Sequence, residues 1–261
     1  MIVGAFTNAV LLYWTFDLHE DVPCDILFTA QVFIAVCGFR CVFPNRYNDN
    51  VVLHDTWLSS IWITRVLATF SETFWLYQLS VLNRDLNAIR GNGPLVWIDI
   101  ASWLMAFLCC FAQCCVWSSL TFQTDILMWY EEFNWALMFI LNTSVNLTFF
   151  LTGDIYGADP RWQCVWISLL FGAIYLPFQI GGHLPYIMNA DRRDRHKKEK
   201  INLDFKQVKK GCLRMMTHRK PSTTSQDWGD SVGAFWMFGY WILEPVWLFL
   251  VALSYSVHLS K

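Results

Sequence analysis

The side chains able to do chemistry are the ionisable ones placed inside long apolar stretches. They are Arg65, Glu72, Glu131, Glu132, His183 and Glu244, with Asn142 as an amide among them. A charge at membrane depth costs at least ~2.5 kcal/mol on the insertion scale, so such residues face one another or a water-filled cavity. Carboxylates in excess of buried cations can bind a cation or carry a proton, and one poised by burial can act as a general acid.

Spacing sharpens this. Arg65, Thr69 and Glu72 fall at i, i+4 and i+7, one stripe on one helical face. Two turns separate Arg65 from Glu72, which predicts a different partner for each. Glu131, Trp135, Asn142 and Asn146 share a narrow arc at ~100° per residue, with Glu132 on the adjacent face. Counted from the end nearer the basic loop described below, Glu131 lies ~10 Å deep, Arg65 ~13 Å, Glu244 ~17 Å and Glu72 ~24 Å. Gln113 falls near the level of Arg65, and His183 lies near the same end. The expectation is a polar cavity in that half of the molecule, with Arg65 paired to Glu131 or Glu132. The competing reading is a structural network that locks helices together.

These residues need long apolar helices to carry them. The 261 residues are 55% hydrophobic and only 15% charged, against ~25% charged in an average soluble domain. Helices apolar on nearly every face belong in lipid or in a large core, and a chain of this length has no such core. The fold class predicted is therefore all-α, a single transmembrane helix bundle over residues 1–261 with about seven spans. The segments are Ile2 to Phe16, Cys24 to Phe43, Thr56 to Leu82, Pro94 to Phe122, Thr124 or Asp125 to Leu151, Trp162 to Met188, and Val232 to Val257. If the first, which is the shortest, does not cross, six remain. Pro177 and Gly181-Gly182 predict a bend in the sixth, and Pro245 lies inside the seventh. No cleavable leader is expected, because no basic residue precedes the first apolar run.

Orientation follows the distribution of Lys and Arg. Twelve of the 19 lie between Arg192 and Lys220, in the sixth loop, residues 189–231. That loop is expected in the cytoplasm, with the N-terminus inside and the C-terminus outside or lumenal. Its basic run is expected either to attract anionic lipid headgroups over residues 192–220 or to act as a solvated topology determinant. The lipid bilayer is thus the expected partner. A net charge of −2 predicts no nucleic-acid partner.

Cys109-Cys110 and Cys114-Cys115 share a helix, but structural zinc sites draw on turns and tetrahedral geometry, so no metal is expected there. Cys212, close to the membrane, is a candidate for acylation. Trp57, Trp97, Trp129 and Trp162 sit near segment ends, as interfacial tryptophans do. Trp75, Trp135, Trp241 and Trp247 are deeper and either pack helices or line a pocket. Aromatics with carboxylates suit a cation.

Three stretches resemble a pattern found in multi-spanning membrane proteins with no assigned function. They are Phe39-Arg40-Cys41-Val42-Phe43-Pro44, then Leu58-Ser59-Ser60 with Arg65-Val66-Leu67-Ala68-Thr69 and Ser71-Glu72, then Tyr130-Glu131-Glu132 with Trp135. The resemblance implies a helical membrane fold and no particular activity. Three classes of function stay open. Transport or conduction of a small molecule, ion or proton predicts an open, wet cavity. An intramembrane enzyme acting on a lipid or isoprenoid predicts a closed aromatic pocket opening sideways. A structural or assembly subunit of a membrane complex predicts paired charges and no cavity.

Overall fold

Long runs of Leu, Ile, Phe, Val and Trp broken by few prolines fold as helices, because a helix satisfies every backbone donor and acceptor within the segment. The computed structural model describes residues 1–18, 22–47, 50–153, 159–194 and 204–259. The long elements are α1 (Ile2–Thr15), α2 (Cys24–Val42), α3 (Ile61–Ala88), α4 (Val96–Phe122), α5 (Asp125–Thr152) and α6 (Trp162–Phe178). The π-helical turn Gln179–His183 continues α6 into α7 (Leu184–Asp194). The amphipathic α8 (Phe205–Thr217) follows, then α9 (Asp230–Phe238), a second π-helical turn Gly239–Leu243, and α10 (Glu244–Leu259). Consecutive helices from α1 to α6 pack pairwise, and α10 closes the circuit against α1, α2 and α6.

Among the described residues, five helices are long and apolar enough to cross a membrane: Cys24–Val42, Val96–Phe122, Asp125–Thr152, Trp162–Asn189 and Gly233–His258. By that measure the expected count of about seven is not reached. α1 has only 14 residues. α3 has 28 residues but too many polar ones. Its polarity is directed. Thr64, Arg65, Ser71, Glu72, Gln78 and Asn83 are buried in the bundle, whereas Trp62, Val66, Leu67, Phe70 and Phe74 form its outer side. α3 is inside-out relative to a soluble amphipathic helix. Its start also differs from expectation. Trp57–Ser59 is a separate 3-10 turn, and Ser60 then caps α3 by accepting a bond from the Ile63 amide at 3.4 Å.

The bend expected in the sixth segment takes the form of a π-bulge rather than a break at Pro177. The bulge contains Gly181-Gly182 and ends two residues before Pro185. A second bulge, Gly239–Leu243, likewise ends two residues before Pro245. Proline has no N–H, so the carbonyl four residues earlier loses its helical donor. For Pro245 that carbonyl belongs to Trp241. Asn8 of α1 supplies the missing donor through Nδ2 at 2.8 Å, and Cys41 Sγ lies 3.9 Å away. Gly4 sits where α1 meets Cys41 and Ile242, so close that a Cβ there would collide with Cys41 Sγ. The short first helix thus serves as a brace for the bulge in the last.

The sixth loop is more ordered than a solvated linker. α8 packs its Met215 against Ile61, Val116 and Leu120, at the ends of α3 and α4. Gly211 lies directly on the Thr121 carbonyl, and Arg214 Nη2 donates to the Leu120 carbonyl at 2.5 Å. That bond satisfies one of the free carbonyls at the end of α4. Two-residue strands β1 (Asn45–Arg46), β2 (Val51–Val52) and β3 (Lys220–Pro221) tie the loop to the α2–α3 connection. β1 and β2 are antiparallel, and β2 and β3 parallel. The basic run from Arg195 to Lys200 lies outside the described residues.

Gly211→Leu is expected to lift α8 from α4, because any side chain there meets the Thr121 backbone. Limited proteolysis should then cut between residues 204 and 218 in the variant and spare the native chain. Asn8→Leu is expected to cost about 1–3 kcal/mol by leaving the Trp241 carbonyl buried and unpaired, read as a lower unfolding midpoint in detergent.

Candidate functional site

Glu72 is the centre of the polar layer. It faces inward from α3 and is 5% exposed, so its carboxylate must find donors within the protein. Arg65 Nη2 reaches Oε2 at 2.5 Å, Gln113 Nε2 reaches the same oxygen at 2.8 Å, and the Tyr240 hydroxyl donates to Oε1 at 2.7 Å. Arg65 Nη2 also donates to Gln113 Oε1 at 2.6 Å, closing a ring of three side chains. The expectation that Arg65 and Glu72 are too far apart to pair is thereby corrected. A helical Cβ points toward the N-terminus, so the Glu72 side chain leans back toward Arg65. The long Arg65 side chain spans what remains of the two turns.

Arg65 Nη1 lies 3.9 Å from Glu131 Oε1, a looser second contact. Glu132 takes a different set of neighbours on α6. Gln179 Nε2, in the first π-bulge, donates to Glu132 Oε2 at 2.8 Å and to its carbonyl at 2.9 Å. His183 Nδ1 lies 3.5 Å from Glu132 Oε2 and 3.2 Å from Gln179 Oε1. The bulge is what turns Gln179 and His183 together toward α5. Glu244 is 3% exposed, and its Oε2 has no hydrogen-bond partner in the protein.

These groups surround a cavity of about 820 Å³. Arg65, Glu72, Glu131, Glu132, His183 and Glu244 all line it. Asn142 does not. It lies about three turns beyond Glu131 on α5 and belongs to a separate amide cluster. There Asn83 Nδ2 donates to Asn142 Oδ1 at 3.1 Å, and Asn146 Nδ2 donates to the Asn142 carbonyl at 2.8 Å. Asn142 and Asn146, which each open an Asn-X-Ser/Thr sequence of the glycosylation type, are both fully buried.

Between cavity and amide cluster stands an aromatic block. Trp75 packs its ring within 5.2 to 6.1 Å of Phe139, Trp135, Trp247 and Phe171. Trp75 and Phe139 form cavity wall, so the block closes the cavity on that side. The far end of the bundle carries its own polar set. Arg161 grips Asp159 through Nε at 2.9 Å and Nη2 at 2.6 Å, and the Tyr255 hydroxyl donates to Asp85 at 2.6 Å. Burial of Asp159 raises its pKa, but the Arg161 bonds outweigh it and hold the carboxyl below the usual range.

The near end is bordered by the strap of residues 218–230. Asp227 accepts from Lys220 Nζ at 2.7 Å, Ser222 Oγ at 2.6 Å and Thr224 Oγ1 at 2.9 Å. Arg46 Nη1 donates to the Asp227 carbonyl at 2.7 Å, joining the strap to β1. Gln226, Trp228, Gly229 and Asp230 then form the cavity rim. Gly229 and Asp230 both take left-handed backbone, at φ 83° and 50°, which turns the strap sharply into α9. Glycine adopts that region freely, and aspartate is among the few other residues that visit it.

Three contributors were not singled out from sequence. Arg40 enters the sequence pattern only as part of the Phe39–Pro44 stretch at the end of the second segment, yet it is buried and lines the cavity. Its guanidinium lies 4.7 Å from the Tyr240 ring centre, 5.3 Å from Trp241 and 5.7 Å from Tyr47. The available signal was its place two turns after Phe33 on the inward face of α2. Tyr240 and Trp236 gave none, since an aromatic in an apolar helix reads as packing. Among the other readings, Trp162 is 9% exposed and not an interfacial residue, while Trp57 is 69% exposed. Cys109 and Cys115 are buried, whereas Cys110 and Cys114 are exposed, so each pair has one cysteine turned inward and one outward. Among the described residues no three His, Cys, Asp or Glu side chains converge as metal ligands.

Breaking the central pair leaves its partner charge buried. Arg65→Met and Glu72→Gln are each expected to cost about 3–5 kcal/mol, and the double variant less than the sum, as a double-mutant cycle of unfolding would report. The strap gives a pH signature. Bonds from Lys220, Ser222 and Thr224 hold Asp227 down at about 2, against about 3.9 in an unfolded chain. A lowered carboxyl stabilises above the unfolded value and loses that as pH falls through the folded one. Protection factors of the amides across residues 218–230, with the intrinsic pH dependence of exchange divided out, should therefore fall as pH falls from about 4 toward about 2, and Asp227→Asn should abolish that fall. No protein-family model, curated protein or solved structure matches the chain.

Proposed function

We propose that the chain is a seven-span membrane protein that carries a small solute, ion or proton, with its cavity as the binding site open toward the sixth loop. The observation that carries this reading is the cavity of about 820 Å³, walled by buried ionisable groups and blocked on the far side by the Trp75 cluster. A site reached from one side and closed by packed side chains on the other is what one state of an alternating-access carrier requires.

Seven crossings follow if lipid meets the apolar outer side of α3, most of whose buried polar side chains find partners or cavity inside. α1 then completes the ring beside α2 and α10 as a short crossing, near ~21 Å in length. The basic residues of the sixth loop put the cavity mouth on the cytoplasmic side. α8 supports that reading. Its Phe205, Leu213 and Met216 are exposed beside Lys206, Lys209 and Lys210, the pattern of a helix lying in the interface among anionic headgroups.

The enzyme reading is less well supported, because the cavity rim is formed by strap residues at the bundle end rather than by a lateral gap between helices. The structural-subunit reading expects no cavity at all.

Purified protein in liposomes loaded with a pH-sensitive dye tests the proposal. Proton-coupled flux should appear and be abolished in Glu131→Gln and Glu244→Gln, while both variants keep the native elution profile. Flux unchanged in every carboxylate variant that lines the cavity would remove the transport reading.

A further inference from the structure

The cavity walls carry more negative than positive side chains. Five carboxylates line them against three guanidiniums. The two buried cations are already engaged. Arg65 is held by Glu72 and Gln113, and Arg40 lies among the rings of Tyr47, Tyr240 and Trp241. Their Nε atoms lack partners, but each guanidinium has its charge met by a carboxylate or by ring faces. Glu131 has Arg65 nearby, and Glu132 has Gln179 and His183. Glu244 differs, since its Oε2 is buried at the wall with no partner in the protein. A carboxylate oxygen in that position costs several kcal/mol unless something cationic or a proton donor meets it.

The surroundings narrow the chemistry of that something. Trp135, Tyr175 and Trp236 also form the wall, and Tyr175 meets Trp236 edge-to-face at 6.0 Å. Neither Arg40 nor Arg65 lies over any of these three rings. A compact metal ion would gain little from such a surface and would need oxygen ligands in number. An alkylated ammonium gains from it twice, through ring faces and through burial of its carbon. About 820 Å³ also exceeds what a bare ion fills and suits an organic molecule.

We infer that the ligand of this cavity is an organic cation, an amine or quaternary ammonium, with its charge at Glu244 and its carbon against Trp135, Tyr175 and Trp236. The inference rests on the reading of the cavity as a binding site and adds the ligand class.

Equilibrium dialysis of the purified full chain with radiolabelled phenyltrimethylammonium tests it, beside two isosteres, neutral tert-butylbenzene and anionic benzenesulfonate. The expected result is saturable binding of the cation alone. Glu244→Gln should weaken it about 10-fold or more, and Glu244→Asp should retain most of it. A native elution profile for Glu244→Gln shows that the loss is not unfolding, and Trp236→Leu supplies a second variant that should weaken the cation without removing a charge. Equal or tighter binding of either isostere overturns the cation assignment and leaves a binding site of another class. No binding of any of the three overturns both the assignment and the site.

Discussion

A carboxylate at mid-depth in an apolar bundle is tolerable only when donors surround it, and Glu72 imposes that condition on four helices at once. Its donors come from α3 itself, from α4 through Gln113, and from the second π-bulge through Tyr240. Arg65 then leans toward Glu131 and brings α5 into the same set. Losing any one donor leaves the remainder of the network with unmatched charge in a medium of low dielectric. The relative heights of α3, α4 and the last helix are set by this requirement, and the cavity is the space those heights leave beside it.

The network sits against a sharply divided interior. Charged and aromatic residues share the half that meets the strap, then comes the Trp75 block, then a layer of amides, then the Arg161–Asp159 grip at the far end. This layering separates a polar half from an apolar middle within one bundle.

Much of this was legible from residues alone. Inverse reading of α3, with its charges as the inward side, followed from Arg65, Thr69 and Glu72 on one stripe. The cavity-lining carboxylates of α5 and α10 followed from depth. Asn142 shares an arc with Glu131, but an arc ignores the three or so turns between them, and those turns hold the aromatic block. The Arg65–Glu72 pair was missed for a similar reason: backbone spacing leaves out side-chain reach and lean. Tyr240 and Arg40 are visible only once α2 and the last helix are known to be neighbours, which no local pattern contains. The α8 helix was hidden by the charge of its loop, although Gly211 and Met215 mark its packed side.

The hydrogen bonds that complete this interior join parts of the chain made at very different times. Glu72 waits for Tyr240, 168 residues later, and Asn8 for the Trp241 carbonyl, 233 residues later. A nascent chain that has released α1 through α7 therefore holds an incomplete polar core until its final helix arrives. Until Tyr240 is in place, the Arg65–Glu72 pair lacks the hydroxyl that completes it.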